Sequence, residues 1–546
     1  MTVLGSKARP SKGERKEANH HAALVASGIL LSRIAGLLRD RVFAYYFGSS
    51  DAADVFRAAF RIPNLLQNLF GEGALSASFI PAYANLLARK AEDEADDVAC
   101  AVFCLLALTM SCLVLIGVLA APVLTDLIAP GFRGAKLQAT VSLVRILFPG
   151  AGLLAISAWC LGVLNSHRRF FLSYSAPVAW NLMMIVSLVA FGGRLEPVSL
   201  TKALAWGSVA GSALQMGVQF PLVFRLIRRF RVLLGLANKN VRAVVRNFMP
   251  MLLSRGVVQI SAYVDTLFAS FLPTGALASL VYAQTLYILP VSLFGMSVSA
   301  AELPAFSSAL GESNEVGAYL RDRLNSALRQ IAFFVVPSAM GFLALGDIIA
   351  GAIYQTGRFG RQDSVYVWAI LGGYAVGLLA TTSGRLYASA YYALRDTRTP
   401  LRFAMLRVLL SAGLGYVSAL HLPQFLGLSP RWGVVGLTAS GGIAGWLELA
   451  LLRNTLETRI GRTGLSISFA AKLWTAAAAA AAAGWGLKLT MHSHSPITLA
   501  AGCLGLYGIV YFAMTTLLRV PETRRLLAKI SGWARTALAW PKAPGN

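Results

Sequence analysis

The chain has 546 residues, 56% of them hydrophobic and 13% charged, with a mean hydropathy of +0.62. A soluble chain carries about 25% charged residues, so this composition excludes an ordinary soluble domain and points to an integral membrane protein. The net charge of +25 invites nucleic acid as a partner, but the placement of the basic residues argues against one.

The first 21 residues are basic and polar, and the apolar run behind them is long and contains Arg33. No small-residue cleavage site follows a short apolar core, so this is not a removable signal. A bilayer core needs about 20 apolar residues per helix, and on that measure about fourteen segments follow. They cover 22–47, 53–87, 98–122, 139–165, 173–193, 199–224, 244–272, 276–310, 325–351, 364–392, 400–421, 433–452, 468–490 and 497–518. Lipid offers no partner to a backbone amide, so these segments are predicted helices. The ten-residue alternation of a membrane β-barrel is missing. Two segments are interrupted, one by Pro63, Gly71-Glu72-Gly73 and Pro81, the other by Pro290, Gly295 and Pro304. Such breaks persist where a helix lines a cavity.

Placing the N-terminus in the cytoplasm puts roughly four times as many loop Lys and Arg inside as outside, which accounts for most of the net charge without nucleic acid. An internal repeat with an offset of about 222 residues relates Leu31-Ser32-Arg33 to Leu253-Ser254-Arg255, and Ser76–Tyr83 to Ser299–Phe306. The chain then reads as a basic tail (1–21), an N-lobe of six helices (22–230), a C-lobe of six (231–462), two further helices (463–520) and a cytoplasmic C-terminal tail (521–546). The expected fold is all-α, with two pseudo-symmetric lobes plus two helices around a central cationic cavity.

Charges inside the spans select the candidate site, because each costs at least about 2.5–3.5 kcal/mol at mid-bilayer and faces a cavity or a partner. Arg33 lies mid-span with no acid nearby in sequence. Arg39 follows six residues later, and Asp40 has Arg39 and Arg41 as neighbours to pair with. Asp54, Arg57 and Arg61 form an i, i+3, i+7 series on one helix face. Arginine suits phosphate through its planar fork. The second lobe adds Arg255, at the repeat position of Arg33, with Asp265 and Glu302. Arg145, Arg385, Arg407 and Glu448 lie in other apolar segments; Arg385 is near an inner end.

No GxxxxGK[ST], HExxH, GxSxG or CxxC pattern occurs, so the chain carries no ATP-hydrolysing loop of its own and no recognisable catalytic or metal motif. The five cysteines all fall in apolar runs and suggest neither disulfides nor a zinc site. No cofactor and no metal is expected.

SRIAGLLRD from Ser32, DAADVFRAAFRIPNLLQNLFGEGALSASFIPAY from Asp51 and YALRDTRTP from Tyr392 resemble the MurJ/MviN lipid II flippases, a likeness that runs over about residues 25–520. The resemblance implies a fourteen-helix fold of the multidrug/oligosaccharidyl-lipid/polysaccharide exporter superfamily. It implies a transporter rather than an enzyme, which flips undecaprenyl-diphosphate-linked peptidoglycan precursor (lipid II) to the outer leaflet of the bacterial inner membrane. Alternating access, dependence on membrane potential and a role in cell-wall synthesis follow from it. The implied partners are lipid II, membrane lipid and the peptidoglycan synthesis machinery, with the protein a monomer.

Arg33, Arg39, Asp40, Asp54, Asn64 and Glu72 match the family's first-lobe cavity motif. Gln67 and Asn68 stand where many members have two arginines, and Thr285 stands where members have another. Arg255 is expected to supply that missing charge. Some members resemble sodium-coupled transporters, with an acid in helix 7 matched here by Asp265. Their helix 11 ligands appear here as Ser411 and Gly415, so the cation site is depleted, and Arg407 is expected to pair with Asp265 in place of the ion. Alternatives within the superfamily are a polysaccharide-lipid flippase or a drug exporter. A membrane-embedded glycosyltransferase or polymerase is the alternative of another class; its outward acids would come from Asp51, Asp126, Glu196 and Asp363, which lack paired spacing.

Overall fold

The computed structural model describes residues 12–70, 74–307, 313–491 and 495–528. Among the described residues nineteen α-helices run in chain order. They are α1 (Lys12–Phe47), α2 (Asp51–Phe70), α3 (Ala74–Ala88), α4 (Glu92–Leu119), α5 (Ala121–Ile128), α6 (Gly134–Ser166), α7 (Phe170–Ser175), α8 (Pro177–Phe191), α9 (Pro197–Leu226) and α10 (Lys239–Ser270). After these come α11 (Ala276–Pro290), α12 (Ser297–Ser307), α13 (Ser313–Tyr354), α14 (Arg361–Ala393), α15 (Arg398–Tyr416), α16 (Leu422–Phe425), α17 (Gly433–Ile460), α18 (Ile467–Thr490) and α19 (Pro496–Leu517). No strand is present among the described residues beyond an isolated bridge between Thr356 and Phe359. The all-α membrane class is borne out, and the described residues of each predicted segment are mostly helical. Ten helical stretches among the described residues are long and apolar enough to cross a membrane. α1, α2–α3, α9 and α10 are not among them.

The interruptions take two forms. Pro63 sits buried within a continuous α2, while residues 71–73 lie outside the described residues. At Pro290 the helix widens into a π-helical turn, Val291–Met296, before α12. Proline removes the amide that would continue the ladder, and the wider turn accommodates the loss.

The chain divides into two compact units, Met1–Gly275 and Ala276–Asn546. In the first, α6 is the central helix, packed by α2, α4 and α9. Its buried face is rich in small residues (Gly150, Ala151, Ala155, Ser157, Ala158, Gly162), which let neighbouring backbones come close where lipid supplies no hydrophobic drive between helices. α10, placed by the repeat at the start of the second lobe, packs in the first unit against α2 and α3. In the second unit α14 is central, between α13 and α17. A Cβ on Gly377 of α14 would lie 2.3 Å from the Cα of Gly442 on α17, so the two helices meet backbone to backbone.

Candidate functional site

The α1–α2 corner is set by local chemistry. α1 stops at Gly48, whose φ of +56° is the left-handed conformation that glycine enters without penalty. Ser50 starts α2 by accepting a hydrogen bond from the Ala53 amide at 3.3 Å, and Asp51 and Asp54 place negative charge in the positive first turn. This geometry brings Arg57 of α2 onto Asp40 of α1. Arg39 Nη2 and Arg57 Nη2 each donate to Asp40 Oδ1 at 3.1 Å, and the Asp40 side chain is 5% exposed. The guanidinium groups also lie over aromatic faces, Arg57 4.3 Å from the centre of the Phe43 ring and Arg39 5.0 Å from that of Trp180. Two cations thus share one carboxylate, leaving a half-buried group of net charge +1. Arg33, about 21 Å along α1 from its Phe47 end, is exposed.

The face that carries Asp54, Arg57 and Arg61 does not form one cationic wall. Its members diverge toward three helices, α6, α1 and α10. Asp54, 2% exposed, accepts from Lys136 Nζ of α6 at 2.9 Å and from the Gly275 amide at 2.8 Å. Lys136 also reaches Asp51 Oδ1 at 2.6 Å, and Thr274 Oγ1 donates to the same oxygen at 2.9 Å. Gly275 has φ +83°, and a Cβ there would meet the Ser49 carbonyl oxygen at 2.3 Å. Arg57 turns to α1. Arg61 donates from Nε to Thr266 Oγ1 of α10 at 3.1 Å, while Tyr263 Oη donates to the Arg61 carbonyl at 3.0 Å. Asn64 and Gln67 continue α2 half-buried. Glu72 lies outside the described residues, as does the Arg255 side chain, although its backbone is part of α10. Asp265 is half-buried on α10.

In the second unit, Glu302 of α12 is paired with Arg323 Nε of α13 at 2.5 Å. Arg407 of α15 has an acid of its own unit beside it, its Nε lying 3.0 Å from Glu448 Oε2 of α17. Ser411, one turn further along α15, is buried. The sequence reading did not single out Lys136, Tyr263, Thr266 or Arg323. Each partner is far along the chain, and no local spacing signals it.

The second unit also holds an apolar hollow of about 380 Å³. Leu293 and Phe294 of the π-helical turn, Phe334 and Gly341 of α13, and Tyr507 and Phe512 of α19 line it. The first unit thus carries the Arg39–Asp40–Arg57 group and the second an apolar hollow.

Residues 43–505 match the model of the family described as Lipid II flippase MurJ. The chain is 31% identical over 510 residues to a probable lipid II flippase MurJ of Rhizobium meliloti (strain 1021), covering 90% of this chain and 91% of that protein. It is 29% identical over 512 residues to a lipid II flippase MurJ of Burkholderia cenocepacia, covering 90% and 96%. Among solved structures, it is similar to a lipid II flippase MurJ in an inward closed conformation, with a TM-score of 0.74, 24% identity, and coverage of 92% of this chain and 100% of that one. An inward-facing multidrug resistance MATE transporter matches with a TM-score of 0.64 at 15% identity, over 80% of this chain and 98% of that one.

Proposed function

The chain belongs to the lipid II flippase MurJ family, and from that premise we propose that it carries lipid II from the inner to the outer leaflet of the bacterial inner membrane. It is a multi-pass membrane protein and a transporter, with no covalent step to perform. The observation that carries the reading is the strip of α1 and α2 in which Asp40 satisfies Arg39 and Arg57 while Arg33 stays exposed. A guanidinium deep in an apolar helix requires an anion or water, and the diphosphate of the lipid headgroup supplies four or more acceptor oxygens to its planar fork. The apolar hollow of the second unit suits part of a polyprenyl chain.

Orientation belongs to this reading. Both termini face the cytoplasm, as the loop Lys and Arg bias supports. An inside-negative potential then drives an anionic headgroup outward by about 2.3 kcal/mol per charge per 100 mV, so no nucleotide is consumed. Alternating access exposes the headgroup pathway to each side in turn. The protein works as a monomer alongside the peptidoglycan synthesis machinery.

The test is the accessibility of lipid-linked precursor at the outer leaflet in cells depleted of this protein. Wild type restores it, and Arg33→Ala at equal abundance lowers it at least tenfold. Full rescue by Arg33→Ala removes that arginine from the pathway, and unchanged accessibility on depletion overturns the assigned substrate for these cells.

A further inference from the structure

Four helix ends of the second unit meet around a polar hollow of about 440 Å³ that the flippase reading does not use. They are the end of α13, the start of α14, the end of α18 and the start of α19. α13 leaves regular helix at Leu345 (φ −127°, ψ 16°). Trp368 of α14 sits at that break. Its Nε1 donates to the Leu343 carbonyl at 2.9 Å, and a Cβ on Gly346 would lie 2.4 Å from its ring. Asp347 follows the break and lines the hollow. Lys488 of α18 donates from Nζ to Asp347 Oδ2 at 2.6 Å. The same ammonium lies 4.4 Å from the centre of the Trp485 ring and 5.7 Å from that of Trp368.

Lys488 is thereby satisfied, but other polar groups of the hollow are not. Asp347 Oδ1 is buried and has no hydrogen-bond partner among the described residues. A carboxylate oxygen so placed requires a donor, and rotation about the Cβ–Cγ bond, a broad torsion, turns it toward the hollow that the residue lines. Arg361, the first residue of α14, is exposed, and its guanidinium has no hydrogen bond or ion pair among the described residues. A metal ion does not fit this lining, because Arg361 and Lys488 both repel it. A simple anion satisfies Arg361 but brings no donor to Asp347. The lining matches a ligand with an anionic group for Arg361 and an ammonium for Asp347. One carboxylate shared by two cations is the arrangement this chain already has at Asp40.

The surroundings select the source of such a ligand. Tryptophan and lysine side chains collect at the membrane–water boundary, where an apolar body and a polar tip are both accommodated. Leu489 and Val365 also line the hollow and are exposed, so acyl carbons can lie against them. We propose that this hollow binds the headgroup of a phosphatidylethanolamine molecule from the surrounding leaflet. Arg361 takes the phosphate, Asp347 takes the ammonium, and Lys488 holds the carboxylate in place from the two tryptophan faces. On the orientation proposed above this is the outer leaflet. The site is independent of which lipid the protein flips.

The test uses the full chain purified in detergent and equilibrated with equal amounts of dioleoyl phosphatidylethanolamine, phosphatidylcholine and phosphatidylglycerol. Native mass spectrometry then counts the lipid retained. Phosphatidylcholine keeps the phosphate but has no N–H to donate, so the wild type retains phosphatidylethanolamine about tenfold better, the difference of one charge-assisted hydrogen bond. Asp347→Asn removes that preference, and Arg361→Gln lowers retention of both zwitterionic lipids about tenfold. Arg361 has no partner to strand, so Arg361→Gln folds with a wild-type thermal midpoint and decides the matter even where Asp347→Asn does not fold. Equal retention of phosphatidylethanolamine and phosphatidylcholine overturns the proposal, as does stronger retention of phosphatidylglycerol. Unchanged retention in Arg361→Gln places the lipid elsewhere and overturns the site. Soluble phosphoethanolamine that binds as tightly as the lipid, and with the same dependence on Arg361, overturns the lipid as occupant.

Discussion

Asp54 and Asp51 stand three residues apart in the first turn of α2, and both reach Lys136, yet they do different jobs. Asp54 is buried and joins α2 to α6 and to the Gly275 amide, whereas the Asp51 side chain is 59% exposed. Removing one partner of a buried charge network strands the other, which costs roughly 3 kcal/mol. Exposed pairs contribute about 0–1 kcal/mol. Asp54→Asn is therefore expected to lower the thermal midpoint of the purified protein markedly and Asp51→Asn to change it little. Equal effects from the two would show that the burial difference does not matter. The series Asp54, Arg57, Arg61 was legible as one helix face, because spacing alone fixes that. Its division among α6, α1 and α10 was not, since the partners lie tens to hundreds of residues away and only packing selects them. Packing over the Phe43 ring and against Asp40 makes Arg57 half-buried.

At the scale of elements, helices in lipid are held by close fit, and the α14–α17 crossing shows how close. Gly377 and Gly442 abut there, and Gly436 of α17 meets the Ser418 carbonyl in the same manner. A side chain at Gly377 has only backbone to displace, so Gly377→Ile is expected to cost about 3 kcal/mol through overpacking. Heating the purified variant in detergent checks this, and a midpoint equal to that of wild type contradicts it. The breaks in the two interrupted segments were visible as proline and glycine. Their forms were not visible: Pro63 is absorbed in a helix, whereas Pro290 opens a π-helical turn packed on α14, with Gly295 against Thr382. The same residue type has both outcomes because the carbonyl it leaves unpaired is accommodated by the neighbours each helix happens to have.

At the scale of the molecule, function requires one protein to handle a charged headgroup and an apolar chain. The hollow of the second unit gives a direct test of the second requirement. Gly341 lines it, and a Cβ there meets nothing within 4 Å. Gly341→Trp is therefore expected to fold with a thermal midpoint close to that of wild type while filling much of the hollow, and to reduce lipid II flipping at least fivefold. Unimpaired flipping by that variant would exclude the hollow from the path of the lipid chain.

The sequence by itself determined the class of this protein through apolar stretches long enough for a bilayer, and its charges inside the spans selected a candidate site. Those are local properties, because transfer from water to lipid is decided residue by residue along about 20 positions. It also carried the family's motif in the first two helices. Only the tertiary structure decided which charges are paired. Asp40 takes two arginines, Asp54 takes Lys136, Glu448 takes Arg407, and Arg385 is left accessible. An ion pair depends on a few ångströms between side chains of different helices, and that distance is set by how small residues let the helices approach, which no local window of the chain contains.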